Sequence, residues 1–273
     1  MNKKITRKYV WIFTIICLTI SNILWYIGYS IYAKDGEDSI ATSIIILTSF
    51  MPAFITLIMT KITKEGWENL SIHPRLKTGW KAYLLSIVFT WLLIYLGDPL
   101  YLLIFKGNVT YAAEGCSPAG WLQVLLFSLL GLLCSIEVLG EELGWMGYLF
   151  PKLEQLHGTN LAILFTSLIR GLWHIGILLH MDHPLIGFID LSISNFLTQS
   201  FLVYLTKKSK SIFPAAVSHA VTMLVPIFLQ YSNEFYEQNI ISMNIVGQFS
   251  ALVVGGISYY LMYREKLILK KES

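Results

Sequence analysis

The 273-residue chain is 55% hydrophobic and only 14% charged, with a formal net charge of +3 and a mean hydropathy of +0.61. A water-soluble domain carries about 25% charged residues, so this composition excludes a soluble globular enzyme and makes lipid the main solvent. The charge balance and the absence of a nucleic-acid motif exclude nucleic acid as a partner and leave the cations to membrane orientation.

A membrane-crossing helix needs about 20 mostly apolar residues. Taken in chain order, apolar runs predict spans at about 9–33, 39–60, 82–105, 121–150, 160–181, 185–205, 212–230 and 240–262. The first run follows Lys3, Lys4, Arg7 and Lys8. It exceeds the 7–15 apolar residues of a secretion signal and reads as a retained span. Only helices satisfy their own backbone in such isolated runs. The expected fold is therefore an all-α, polytopic transmembrane bundle of about eight spans, forming one integral-membrane domain over 1–273.

Lys and Arg set the orientation. With both termini cytoplasmic, the N-terminal cations, those of the Lys61–Lys81 connection, Lys152, Lys207, Lys208, Lys210 and the C-terminal cluster from Arg264 all fall inside. Only Lys34 and Lys106 fall outside, and Arg170 lies within a span. The Lys61–Lys81 connection, with Trp67 and Trp80, reads as an interfacial segment. Cys17, Cys116 and Cys134 are scattered without CxxC spacing, which argues against a disulfide framework or a cysteine-rich metal site.

Ionised groups at bilayer depth cost about 2.5–3.5 kcal/mol each even on a lenient insertion scale. Glu141, Glu142, His174 and His219 nevertheless occupy apolar stretches. At a rise of about 1.5 Å per residue, Glu141 lies about 14 Å, His174 about 21 Å and His219 about 12 Å from the cytoplasmic ends of their spans. Three helices thus bring titratable groups to similar depth. A carboxylate and a histidine can activate water directly, or hold a divalent metal such as zinc that lowers its pKa; Glu141, His174 and His219 are the candidate ligands. A second histidine completes a metal triad or donates to a developing oxyanion. Adjacent glutamates point about 100° apart on a helix, so Glu141 and Glu142 divide catalytic and structural work. Glu137, one turn earlier, adds a third acid. Arg170 shares a helix face with His174 and is expected to pair with Glu142, fixing the helix that carries Glu141.

The run Gly140-Glu141-Glu142-Leu143-Gly144-Trp145-Met146-Gly147-Tyr148-Leu149 resembles the first motif of the CAAX protease and bacteriocin-processing (Abi) family, which includes the Ras-converting prenyl endopeptidase. Leu172-Trp173-His174 is similar to its second motif, and Ser211–Ala220, ending in Ser218-His219-Ala220, to its third. The resemblance is specific over about 140–225. It implies an intramembrane endopeptidase in which Glu141 and His174 activate water and His219 stabilises the oxyanion, with Glu142 and Arg170 assisting. The implied substrate is a membrane-associated or lipid-modified polypeptide. The implied location is a multi-pass position in a bacterial cell membrane, since many bacterial relatives act in bacteriocin maturation or immunity.

Three positions depart from the family pattern. Met146 stands where EExxxR has arginine, Arg170 where FxxxH has an aromatic, and Met223 where an asparagine follows the third histidine. The first two can compensate each other, and Thr222 or Asn195 is the candidate replacement for the third. A slow or degenerate enzyme stays open. So does a non-catalytic immunity or binding protein that sequesters a peptide such as a bacteriocin.

Overall fold

The computed structural model describes residues 3–36, 39–105, 138–224 and 233–270, with 122, 126 and 130 as isolated positions. Among them every regular element is helical. The order is α1 (Lys3–Asp35), α2 (Ser39–Ser49), α3 (Met51–Thr63), a 3-10 turn (Trp67–Leu70), α4 (Leu76–Tyr95) and α5 (Gly97–Phe105). After helical residues 138–142 come a π-helix (Leu143–Leu149), α6 (Phe150–His157), α7 (Thr159–Trp173) and α8 (Ile175–Leu178). The chain closes with α9 (Pro184–Ser209), α10 (Phe213–Leu224) and α11 (Asn233–Arg264).

The packing is that of a protein dissolved in lipid. Trp11, Ile15, Ile16, Ile20, Ile23 and Ile27 of α1 face outward, as do Ile186, Ile189, Ile193 and Phe196 of α9. Small polar residues turn inward instead: Thr14, Ser21, Thr56, Ser86, Thr90, Ser167 and Ser258 are buried. Several return their hydroxyl to a carbonyl one turn back, as Thr56 does to Pro52 (2.8 Å) and Ser258 to Val254 (2.8 Å). Such side chains let helices approach closely where burial of apolar surface gives little gain. The chain is a multi-pass integral membrane protein. α9 is central, packing on α4, α7, α10 and α11.

Among the described residues four helices are long and apolar enough to cross a bilayer: Lys3–Asp35, Leu76–Tyr95, Pro184–Ser209 and Asn244–Arg264. α2 and α3 form a fifth only if taken together, because they bend by 46°. Pro52, near the start of α3, lacks the N–H that would continue the α2 ladder. The expected span at 160–181 is not one helix: α7 ends at Trp173 and His174 begins a break. Most of 121–130 and all of 131–137 in the expected span at 121–150, and 225–230 of that at 212–230, lie outside the described residues, as do Cys116 and Cys134.

Glycines fasten the acid-bearing segment to the α2–α3 bend. A Cβ on Gly140 would lie 2.7 Å from Phe50 Cδ1, and one on Gly144 would collide with Pro52. The two glycines sit one helical turn apart on either side of Glu141 and Glu142, so the backbone carrying the acids is wedged against the bend. Gly144→Ala is therefore expected to lower the detergent unfolding midpoint, by the equivalent of about 1–3 kcal/mol of overpacking. Gly256→Ala, whose added methyl meets nothing within 4 Å, should leave the midpoint unchanged in the same thermal scan.

Candidate active site

The first motif leaves the α-helix where it carries the acids. Residues 138–142 are helical, and Leu143–Leu149 continues as a π-helix whose last bond runs from the Phe150 N–H to the Trp145 carbonyl. Such widened turns are rare and recur at functional sites. Trp145 lies wholly buried against Phe13 of α1 (ring centroids 6.2 Å) and Trp173 (5.7 Å). Trp173 in turn stacks edge-on against Trp25 (5.3 Å) and the His174 ring (4.7 Å). This aromatic column ties the acid segment, α1 and the second histidine into one core.

Glu142 is the hub. Its side chain is fully buried, and one oxygen, Oε1, accepts from two helices: Arg170 Nη2 of α7 at 3.2 Å and His219 Nδ1 of α10 at 3.0 Å. The contact expected between Arg170 and Glu142 is thus present, and His219 joins it. Arg170 is itself buried, with Nε and Nη1 making no protein hydrogen bond among the described residues. Glu141, the next residue back, is also buried.

His174 adjoins the hub through the backbone. Its Nδ1 lies 2.8 Å from the Arg170 carbonyl. A carbonyl can only accept, so Nδ1 carries the proton and Nε2 keeps its lone pair. The residue sits at φ −95°, ψ 2°, in the bridge region that many active-site residues occupy. Two glycines permit the break: a Cβ on Gly171 would lie 2.8 Å from Ser192 Oγ, and one on Gly176 would collide with the Asn22 carbonyl.

The break is held by a residue that motif reading missed. Asn22, midway along α1, donates Nδ2 to the carbonyls of Leu18 (2.9 Å) and Leu172 (3.0 Å), while its Oδ1 accepts the Gly176 N–H (2.7 Å). It therefore satisfies backbone groups on both sides of His174. A lone amide in a run of apolar residues was the available signal. His219 is positioned from the other side: its neighbour Ser218 bonds Thr90 of α4 (2.7 Å), and the Ile212 N–H donates to the Ser71 carbonyl (3.0 Å).

The remaining expectations resolve as follows. Met146 is buried with Gln199 Nε2 against its sulfur at 3.3 Å, so the position held by arginine in the pattern is here part of the core. The Thr222 hydroxyl donates to the His219 carbonyl (2.6 Å) and is already committed within its own helix. Asn195 Nδ2 is buried without a protein partner among the described residues, while Met223 is exposed. Glu137 lies outside the described residues. Among the described residues no three His, Cys, Asp or Glu side chains are grouped to hold a metal ion. Glu141, His174 and His219, the ligands considered for a metal, are not grouped in that way; His219 turns its Nδ1 to Glu142, whose Oε1 also receives the arginine. No step below passes through a metal.

Residues 120–225 match the family described as type II CAAX prenyl endopeptidase Rce1-like. Over that segment the chain is similar to the CAAX prenyl endopeptidases. The matched range contains Glu141, Glu142, Arg170, His174 and His219. No curated protein matches the chain.

Removing one partner of a buried ion pair costs about 3–5 kcal/mol, because the other charge is stranded. Arg170→Met should destabilise the protein by that order, and adding Glu142→Gln should recover part of the loss, as a double-mutant cycle in detergent would show. Asn22→Leu should cost about 1–3 kcal/mol through the unpaired backbone groups, read from the same unfolding curves.

Proposed function

We propose that the chain is an intramembrane endopeptidase in which Glu141 and His174 activate water against a peptide bond of a membrane-associated or lipid-modified polypeptide. The observation that carries this reading is the shared Glu142 oxygen, which locks Arg170 and His219 from two helices while the Arg170 carbonyl fixes the His174 tautomer. Preorganised polar groups in a dry interior are what hydrolysis requires.

In the proposed reaction water, oriented by His174 Nε2, attacks the scissile carbonyl carbon and gives its proton to the Glu141 carboxylate. His219, held through Nδ1 by Glu142, donates from a protonated Nε2 to the oxyanion. Asn195 Nδ2 is the spare amide donor that stands nearest in chemistry to the asparagine replaced by Met223. Collapse breaks the C–N bond, and the protonated Glu141 returns its proton to the leaving amine. Glu142 and Arg170 position these groups without touching the reacting atoms.

The wider arrangement belongs to the same reading: about eight spans, both termini cytoplasmic, in a bacterial cell membrane. Supporting it, the start of α4, the end of α9 and the segment after α11 meet at one end of the bundle, each bringing cations there. In this reading the positive-inside rule assigns that end to the cytoplasm.

The departures at Met146 and Met223 keep a second reading in play, a binding or immunity protein that sequesters a peptide. Glu141→Gln separates the two. In cells expressing native or variant chain at matched abundance, a mass-spectrometric catalogue of membrane-polypeptide termini should show products with the native chain and lose them in the variant. An immunity phenotype that survives the substitution, with identical termini, would sink the enzymatic reading. If Asn195 supplies the oxyanion donor, Asn195→Leu should lower kcat about 10²–10³-fold in an assay on the substrate so found.

A further inference from the structure

A cavity of about 600 Å³ opens at the cationic end of the bundle, away from the acid–histidine hub. Its apolar floor includes Met146, Phe150, Pro151 and Leu267, and its rim carries Arg75, Lys207, Lys210 and Lys266 against Glu68 and Glu154. Lys207 is neutralised by Glu154. Arg75, Lys210 and Lys266 are exposed and form no ion pair among the described residues.

The walls are fixed. Past α11, the chain is laced to the start of α7 by reciprocal bonds, Thr159 N–H to the Leu269 carbonyl (3.0 Å) and Leu269 N–H to Thr159 Oγ1 (2.8 Å). Lys207 Nζ also donates to the Leu267 carbonyl (2.5 Å). On the opposite wall the Tyr83 hydroxyl holds the Pro74 carbonyl (2.7 Å).

Backbone strain concentrates here. Among the described residues five non-glycines have positive φ, and four of them, Ser71, Arg75, Lys210 and Lys266, line this cavity. Glycine or asparagine would occupy that region with less strain. Ser71 and Lys210 take it as the C-caps of their helices, and three of the four are the cations that form no ion pair among the described residues.

Depth selects the ligand. Arg75 precedes Leu76–Tyr95, Lys210 follows Pro184–Ser209, and Lys266 follows Asn244–Arg264, so the cavity lies where three candidate spans end. In a bilayer that level is the headgroup layer. A ligand there has an anionic head for the rim and apolar carbon for the floor. We infer that this cavity binds the phosphate of an anionic phospholipid. The inference does not depend on the chain being a protease.

The test uses native mass spectrometry of the full chain in neutral detergent, titrated with phosphatidylglycerol or phosphatidylcholine. Phosphatidylglycerol should bind about 30-fold or more tightly than phosphatidylcholine. Each interfacial cation is worth about a fivefold factor, so Lys210→Asn with Lys266→Asn should weaken phosphatidylglycerol about 30-fold and leave phosphatidylcholine unchanged. Asparagine tolerates the left-handed backbone, and an unchanged unfolding midpoint checks the fold. Lys64→Asn, at a left-handed cation outside the cavity, should have no effect. Equal binding of the two lipids, or equal loss in the Lys64 variant, would overturn the inference. Displacement by inorganic phosphate, but not by chloride at matched ionic strength, would assign the cavity to a free phosphate species instead. Displacement by a peptide with a free terminal carboxylate, but not by its amide, would assign it to a polypeptide end.

Discussion

One carboxylate oxygen organises this protein. Glu142 Oε1 accepts from Arg170 and His219, and no water-accessible surface softens the charge, since the side chain is fully buried. Its desolvation must be offset by those two contacts, so neither α7 nor α10 can move away without stranding an ion. The hub thereby fixes the spacing of three chain segments that are separate in sequence, Glu142 lying 28 residues from Arg170 and 77 from His219. Everything proposed for catalysis borrows from that fixed spacing: the Arg170 carbonyl that sets His174, and the ring orientation of His219.

Around the hub the helices repeatedly depart from regularity. The bend at Pro52, the π-helix after Glu142 and the break at His174 all fall next to the polar groups. Non-helical backbone within a membrane protein survives only where protein buries it or a cavity receives it. Glycines at 140, 144, 171 and 176 allow neighbouring chains close enough to do the burying. Irregularity and close packing are two sides of one construction.

The polar constellation was legible in the sequence because ionised residues stand out against apolar runs. The Arg170–Glu142 contact could be anticipated for the same reason: a buried arginine must find an acid, and depth left few choices. Span boundaries were legible where a helix is continuous, as for α1 and α9. They failed where continuity depends on distant residues. Gly171 and Gly176 are the local sign of the break at His174, but the bonds that hold it come from the distant Asn22. The bend between α2 and α3 had a local sign in Pro52, but apolar composition alone counts such a pair as one span. The commitment of Thr222 to the His219 carbonyl was likewise invisible, since hydropathy does not tell where a hydroxyl points.

Asn22 also has a consequence for assembly. The Leu172 carbonyl it bonds lies 150 residues further along the chain. Until α7 and α8 pack against α1, the Asn22 amide has the Leu18 carbonyl of its own helix but neither the Leu172 carbonyl nor the Gly176 N–H. Closing so long a loop is slow and entropically costly. The first helix is thus a waiting half of a joint, and the second histidine acquires its geometry only when that joint closes. Completion of the site would then be timed by a late meeting of helices rather than by the making of the motif that bears the acids.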